Sequence, residues 1–414
     1  MSVSTPLPVQ QHERSDILDS LRGFALLGIF LANSAAFSLY MFLPPEKVET
    51  LPTALPDKIF TYFHFVFIDG KFYSLFSLLF GIGFSIILNR NQQAGKNALA
   101  IFYRRLLILA IFGLLHTFLL WDGDILFVYA ICGMFLPLFR NCTDRTLLFW
   151  WVALILSPVL LDAIIVISNG AWRPSAFIAD VAERMDARYG IGPDNFSTWL
   201  IDHTDYKSIH EFLQGGFFWR WEHLIGSNRL PKVVGMFVLG LYVGRNMIYA
   251  NLEKYQALLK QIQRWGFVIG IPASLAYAWF ELDDYHLPKP AALLDTLFYA
   301  LSVVPLSLAY TTTFCLLWLK PDWKKRLMVF APAGRMALTN YILQTLIGIT
   351  IYYGIGFGLG AKFGPTLFFP IAIAVFCIQI PVSKLWLSHF RFGPLEWIWR
   401  MLTYGKVMPL RSSR

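Results

Sequence analysis

The sequence predicts an all-α fold, a polytopic helical membrane protein of about ten transmembrane helices with both termini cytoplasmic. Three observations predict it. Of 414 residues, 56% are hydrophobic and only 15% are charged, where a soluble domain carries about 25% charged residues. The mean hydropathy is +0.53. Apolar runs of roughly 17 to 25 residues recur along the chain, the length that crosses ~30 Å of hydrocarbon. The short loops between them are basic on one side only.

The spans run approximately over 21–41, 68–88, 104–121, 124–140, 147–168, 230–248, 264–281, 293–319, 336–357 and 366–388. The first imitates a signal peptide, with Arg14 and Arg22 before an apolar stretch and small residues at Ala32 to Ala36. The apolar run continues through Phe37 to Phe42 and many spans follow, so it reads as an uncleaved helix. Residues 58–68 are apolar and aromatic, and either lie along the interface or extend the second span. The run 293–319 contains Pro305, which is free to kink it.

Loop charge orients the chain. Counting Lys and Arg with the N-terminus inside places 23 on the cytoplasmic side, from Arg14 and Lys96 through to Arg414. The short external loops hold only four: Lys47, Lys58, Lys289 and Lys362. The net charge of +9 is thus scattered among loops, which fits membrane orientation and excludes a nucleic-acid partner. One connection, residues 169–229, breaks the pattern of short loops. It divides the chain into a five-helix half (1–168), an external segment, and a second five-helix half (230–414) with an amphipathic tail. Within the external segment 176–189 reads as a short helix and Phe217 to Trp221 as an interfacial aromatic belt. The segment is either a lid over a site or a buttress.

Polar residues inside apolar runs are expensive in lipid and mark candidate sites. Arg22 and Asn33 stand eleven residues apart in the first span, about 20° past three full turns, so they share one face with Asp19. Arg105 and His116 repeat that spacing in the third span, so Asn33 and His116 stand about 16 Å above their arginines. After His116 comes the turn Trp121-Asp122-Gly123-Asp124. Either aspartate can fold back as orienter of the imidazole, the arrangement a general base requires. Alternatively, Asp124 only caps the following helix. Asp69 and Lys71 interrupt the second span, as a structural pair or as part of a polar cavity with Arg22. In the ninth span Asn340 and Gln344 share a face above Arg335, either lining that cavity or gluing helices. Glu396 and Arg400 form an i,i+4 pair in an amphipathic tail helix. Cys132, Cys142, Cys315 and Cys377 have neither metal nor disulfide spacing, and no metal-ligand cluster, phosphate loop or nucleophile elbow is found.

Four motifs together resemble the YeiB-like family of bacterial inner-membrane proteins, which end in a domain of unknown function. They are Asp19-x-x-Arg22-Gly23, His116-x4-Trp121-Asp122-Gly123-Asp124, Gly334-Arg335-Met336-Ala337-Leu338-Thr339-Asn340-Tyr341 and Phe392-Gly393-Pro394-Leu395-Glu396-Trp397. The first span is also distantly similar to membrane acyltransferases. Those that acylate bacterial surface glycans place a histidine about where Asn33 stands. The lysosomal heparan-glucosaminide acetyltransferase has an asparagine there, assisting a nearby histidine. His64 does not match that spacing, which leaves His116 preferred over His64 as base.

The resemblance implies a transmembrane acyltransferase in the bacterial inner membrane, with no permanently bound cofactor. Acetyl-CoA or another acyl-CoA would be the co-substrate, its phosphates held by Arg22, Lys71, Arg105 and Arg335. His116, Asn33, Asp122 and Asp124 would be catalytic. Asp19, Asp69, Asn340 and Gln344 would line the side of a small-molecule or glycan acceptor. The alternative is a transporter or exporter of a small solute or envelope precursor through the same cavity.

Overall fold

The computed structural model describes residues 15–93, 97–282 and 287–411. Arg14, Lys96 and Arg414 of the charge count lie outside the described residues. The chain is helical almost throughout, and its only β feature among those residues is one antiparallel bridge, Phe390 to Arg411.

Fourteen helices carry the architecture. They are α1 (Asp16–Phe37), α2 (Ala54–Phe63, continued by a π-helical turn His64–Ile68), α3 (Lys71–Gln93), α4 (Ala98–Leu119), α5 (Leu126–Gly133), α6 (Asp144–Ile167) and α7 (Ala176–Tyr189). Then follow α8 (Tyr206–Gly226), α9 (Arg229–Arg245), α10 (Gln256–Leu282), α11 (Ala292–Trp318), α12 (Ala337–Tyr352), α13 (Pro365–His389) and α14 (Pro394–Tyr404). Local signals start several of them: Asn97 accepts from Ala100 N (3.1 Å) ahead of α4, and Thr143 accepts from Thr146 N (3.2 Å) ahead of α6.

The protein is a multi-pass membrane protein. Seven helical stretches among the described residues are long and apolar enough to cross a bilayer: 16–37, 54–91, 98–119, 144–167, 256–282, 292–318 and 365–389. The other three expected spans are also helical but shorter, with 8, 17 and 16 residues in α5, α9 and α12.

Packing follows the sidedness of each helix. On α4, Tyr103, Leu107, Ile111, Leu115 and Leu119 recur every fourth residue and are exposed, as a lipid-facing stripe should be. The opposite stripe, Phe102, Leu106, Leu109, Gly113 and His116, is buried. Helix α1 sits at the centre, flanked by α3, α11, α12 and α13. Helix α9 lies along α3, where Gly81 and Gly240 meet so closely that a Cβ on either would strike the other helix's backbone. Lipid gives apolar helices no hydrophobic reason to associate, so such close contact is what holds them. One core cluster runs from Leu26 to Phe376 and draws on both halves of the chain.

The bundle therefore has two polar faces. One gathers the start of α1, the start of α4 and the tail helix α14, and is called the arginine face below. The other carries the α4–α5 turn with α7 and α8, and is called the loop face. The segment 169–229 is folded: α7 occupies the expected 176–189, and α8 packs on α7 and α4. The expected aromatic belt faces protein instead of lipid. Phe217 stacks on Phe118 (5.0 Å), Trp221 meets Phe127 edge-on (5.9 Å), and Trp219 Nε1 donates to Asp186 Oδ2 (2.7 Å).

A buried histidine, carboxylate and hydroxyl at the loop face

His116 comes to the inside of the bundle because it lies on the buried stripe of α4. Its Nδ1 is 2.9 Å from Asp124 Oδ2 and its Nε2 is 2.9 Å from Thr345 Oγ1, on α12. The His116 and Asp124 side chains are only 1% and 2% exposed. The other oxygen of Asp124, Oδ1, accepts from Phe127 N (2.7 Å) in the first turn of α5. Gly113 makes room for it, because a side chain there would meet Asp124 and the Phe127 backbone. A carboxylate only accepts, so Nδ1 carries the imidazole proton, and in the neutral ring Nε2 is free to accept from the Thr345 hydroxyl. Tyr341 (5.2 Å between ring centres) and Trp121 (6.2 Å) wall the imidazole.

The second aspartate goes elsewhere. Asp122 sits against Gly216 of α8, within electrostatic reach of Arg220. Burial pushes its carboxyl up, and the Arg220 guanidinium offsets part of that. Arg220 also donates to the Asp124 carbonyl (3.2 Å), Tyr206 donates to Leu119 O (2.7 Å), and His210 Nδ1 is 3.1 Å from Phe118 O. Helix α8 thus covers the end of α4 that bears His116.

Asn33 is half-buried, and its side chain forms no hydrogen bond among the described residues. The loop-face end of α1 reaches His116 through aromatic rings instead: Phe37 packs on Trp121 at 4.3 Å. His64 stacks on Phe369 (5.9 Å), and its buried Nδ1 has no partner.

The arginine face holds most of the expected cations. Arg22 pairs with Asp19 (2.6 Å) and reaches Gly334 O (3.5 Å). Arg105 lies over the Trp399 ring at 3.7 Å and within electrostatic reach of Arg22, while Trp399 Nε1 donates to Arg105 O (3.1 Å). Arg400 is near Arg105 and Asp19. Arg335 has buried Nε and Nη2 atoms without a partner. Lys71 does not join them: α3 starts at the loop face, and there Lys71 donates to Phe65 O (2.6 Å).

Asn340 and Gln344 take the helix-gluing role. Asn340 donates to Ser383 Oγ (2.9 Å) and Ala333 O (3.2 Å), and Gln344 donates to Gln379 Oε1 (2.9 Å). Gln379 in turn donates to Asn340 O (3.2 Å), so two amides of α12 with one amide and a serine hydroxyl of α13 close a buried α12–α13 network. Thr345 is the partner that sequence reasoning missed. A threonine inside a helix ordinarily bonds its own backbone, as Thr345 also does to Tyr341 O (3.5 Å), and nothing local ties it to a histidine 229 positions earlier.

Residues 243–406 match a family model described as a protein of unknown function (DUF418). The uncharacterized protein YxaH of Bacillus subtilis is 33% identical over 420 residues, covering 99% of both chains. The uncharacterized protein YeiB of Escherichia coli is 31% identical over 97% of this chain and 99% of its own. A 39.9 kDa protein encoded in the amylase 3′ region of Bacillus acidopullulyticus is 29% identical over 97% of each chain.

Proposed function

The chain belongs to the YeiB-like family of multi-pass membrane proteins, and from that premise we propose that it is a transmembrane acyltransferase with His116 as general base. The observation that carries the reading is the buried imidazole, fixed at Nδ1 by Asp124 and turned at Nε2 toward a hydroxyl. A general base needs its reactive nitrogen free to accept and its other nitrogen oriented. The Thr345 hydroxyl stands where an acceptor hydroxyl would dock.

An acyl-CoA donor would bind by its phosphates at the arginine face, where Arg22, Arg105 and Arg400 cluster and Arg335 has unpartnered donors. The eleven residues from Arg105 to His116 rise about 16 Å along α4, a distance suited to a long pantetheine arm. His116 Nε2 takes the proton of the acceptor hydroxyl or amine as its lone pair attacks the thioester carbonyl. The C–S bond breaks, and the departing thiolate takes that proton from the imidazolium. Asp124 holds the imidazolium between the two steps.

Charged groups at membrane depth also suit a transporter, so the test has two arms. Purified protein is titrated with acetyl-CoA, and thiol release is followed with cell-envelope extract as acceptor. The expected result is binding that needs Arg22 and Arg105, with thiol release lost in His116→Ala. Absence of acetyl-CoA binding, together with solute flux in liposomes, would replace this reading by transport.

A further inference from the structure

A second group of charges lies in the loop-face half, apart from His116 and the arginine face. Arg229 opens α9 directly after Asn228, whose left-handed backbone (φ 49°) turns the chain into the helix. The Arg229 guanidinium packs on the Tyr73 ring, 4.9 Å from its centre, and makes no hydrogen bond to any described residue. Its Nε is shielded and unpartnered. Tyr73 and Tyr299 join hydroxyls at 3.2 Å, and Lys232 lies 4.0 Å from the Tyr299 ring centre with its Nζ bonded to Ser227 O (2.8 Å).

Across this tyrosine cluster stands Asp69. Its Oδ2 accepts from Tyr277 (3.2 Å), and it has no ion pair within 4.0 Å among the described residues. Lys71, its close neighbour in sequence, is committed to Phe65 O. Asp69 and Arg229 lie within electrostatic reach of one another, and His223 is within reach of both. His223 and Asn228 also line a cavity of about 370 Å³ formed between α6, α8 and residues 172–175. Arg229 follows Asn228 of that lining directly in the chain, while Asp69 and the three tyrosines are not part of it.

A guanidinium without a hydrogen bond and a carboxylate held by one tyrosine, its nearest cations (Lys71 among them) beyond 4.0 Å, are each costly to leave so. Both costs fall if one small molecule bridges them. A carboxylate or phosphate suits the planar fork of Arg229. An ammonium suits Asp69, beside the Tyr277 ring over which the Lys71 ammonium also lies, 5.7 Å from its centre. We propose that Arg229, Asp69 and the tyrosines between them form a binding site for a small zwitterion, an anionic group joined by a short linker to an ammonium. Free amino acids and the phosphoethanolamine group of lipids share this chemistry. The site stands independently of acyl transfer.

The test is calorimetric titration of the detergent-purified full chain, without CoA, using glycine, O-phosphoethanolamine, propionate and ethylamine. At least one zwitterion is expected to bind about tenfold or more tighter than propionate and ethylamine, since each charged contact contributes separately. The tighter of the two zwitterions identifies the source, free amino acid or headgroup. Arg229→Gln is expected to abolish binding. Asp69→Asn should bring the zwitterion down to the affinity of propionate, an effect that loss of folding does not mimic. Failure of both zwitterions to bind, or binding no tighter than propionate, overturns the proposal, as does an Asp69→Asn variant that keeps the preference. The wild-type ranking decides the matter alone if the variants do not fold.

Discussion

His116 can accept a proton at Nε2 only in the tautomer that carries its own proton on Nδ1, and Asp124 selects that tautomer. Asp124→Asn keeps an oxygen for Phe127 N but turns an amide N–H toward Nδ1, which then must accept. The expected outcome is an unfolding midpoint within a few degrees of wild type and acyl transfer reduced about 10²- to 10⁴-fold. Thermal unfolding in detergent and thiol release measure the two. Thr345→Val is nearly isosteric and leaves Nε2 without a donor, costing about 1–3 kcal/mol. It should retain transfer, because the acceptor replaces the hydroxyl it lost. A Thr345→Val variant that is folded but inactive would make Thr345 itself a participant. His116 and Asp124 were legible because eight residues across one tight turn place them near each other. Thr345 was not, because its partner arrives through tertiary packing alone.

At the scale of elements, the tail helix α14 organises the helix that bears Thr345. Glu396 accepts from Leu338 N (2.7 Å), Thr339 N (3.1 Å) and Thr339 Oγ1 (2.6 Å), so it caps the start of α12 from outside. The sequence suggested an i,i+4 pair with Arg400 instead. Bare amide donors at a helix start in a partly dry setting outrank a surface pair contributing a few tenths of a kcal/mol. Two motifs read separately, around Gly334 and Phe392, are therefore one joint. Glu396→Ala should lower stability by about 2 kcal/mol, read as a reduced unfolding midpoint. Helix α8, the cover over His116, has its own acid dependence. Asp205 accepts from Ser208 N (2.9 Å) and Ser208 Oγ (2.8 Å), and these bonds hold its carboxyl below the usual range. A depressed carboxyl stabilises the folded form above its unfolded value of about 3.9 and ceases to do so as pH falls through the folded one. Proteolysis of the 169–229 segment should therefore accelerate on acidification below about pH 4. Asp205→Asn, which keeps a cap but does not titrate, should flatten that limb.

For the whole molecule, the two eleven-residue spacings begin at arginines that share one face. Arg22 and Arg105 do meet at one face, because α1 and α4 enter the bundle from the same side. Lys71 broke the pattern because α3 runs against α1 and its ammonium is committed to Phe65 O instead of turning toward Arg22. Two separated polar faces make membrane orientation decisive for any function, since donor and acceptor, or two sides of a transport path, must be assigned to them. The excess of Lys and Arg in the loops on that side leads us to expect the arginine face in the cytoplasm, and accessibility labelling tests it. Lys207 on α8, whose side chain is 85% exposed, and Lys406, just beyond α14 and also exposed, stand on opposite faces. In a background with the four native cysteines replaced, Lys207→Cys should react with a membrane-impermeant maleimide in intact cells. Lys406→Cys should react only after permeabilisation. The reverse pattern would invert the protein in the membrane, present the arginine cluster to the outside and remove a cytosolic acyl-CoA from consideration as its ligand.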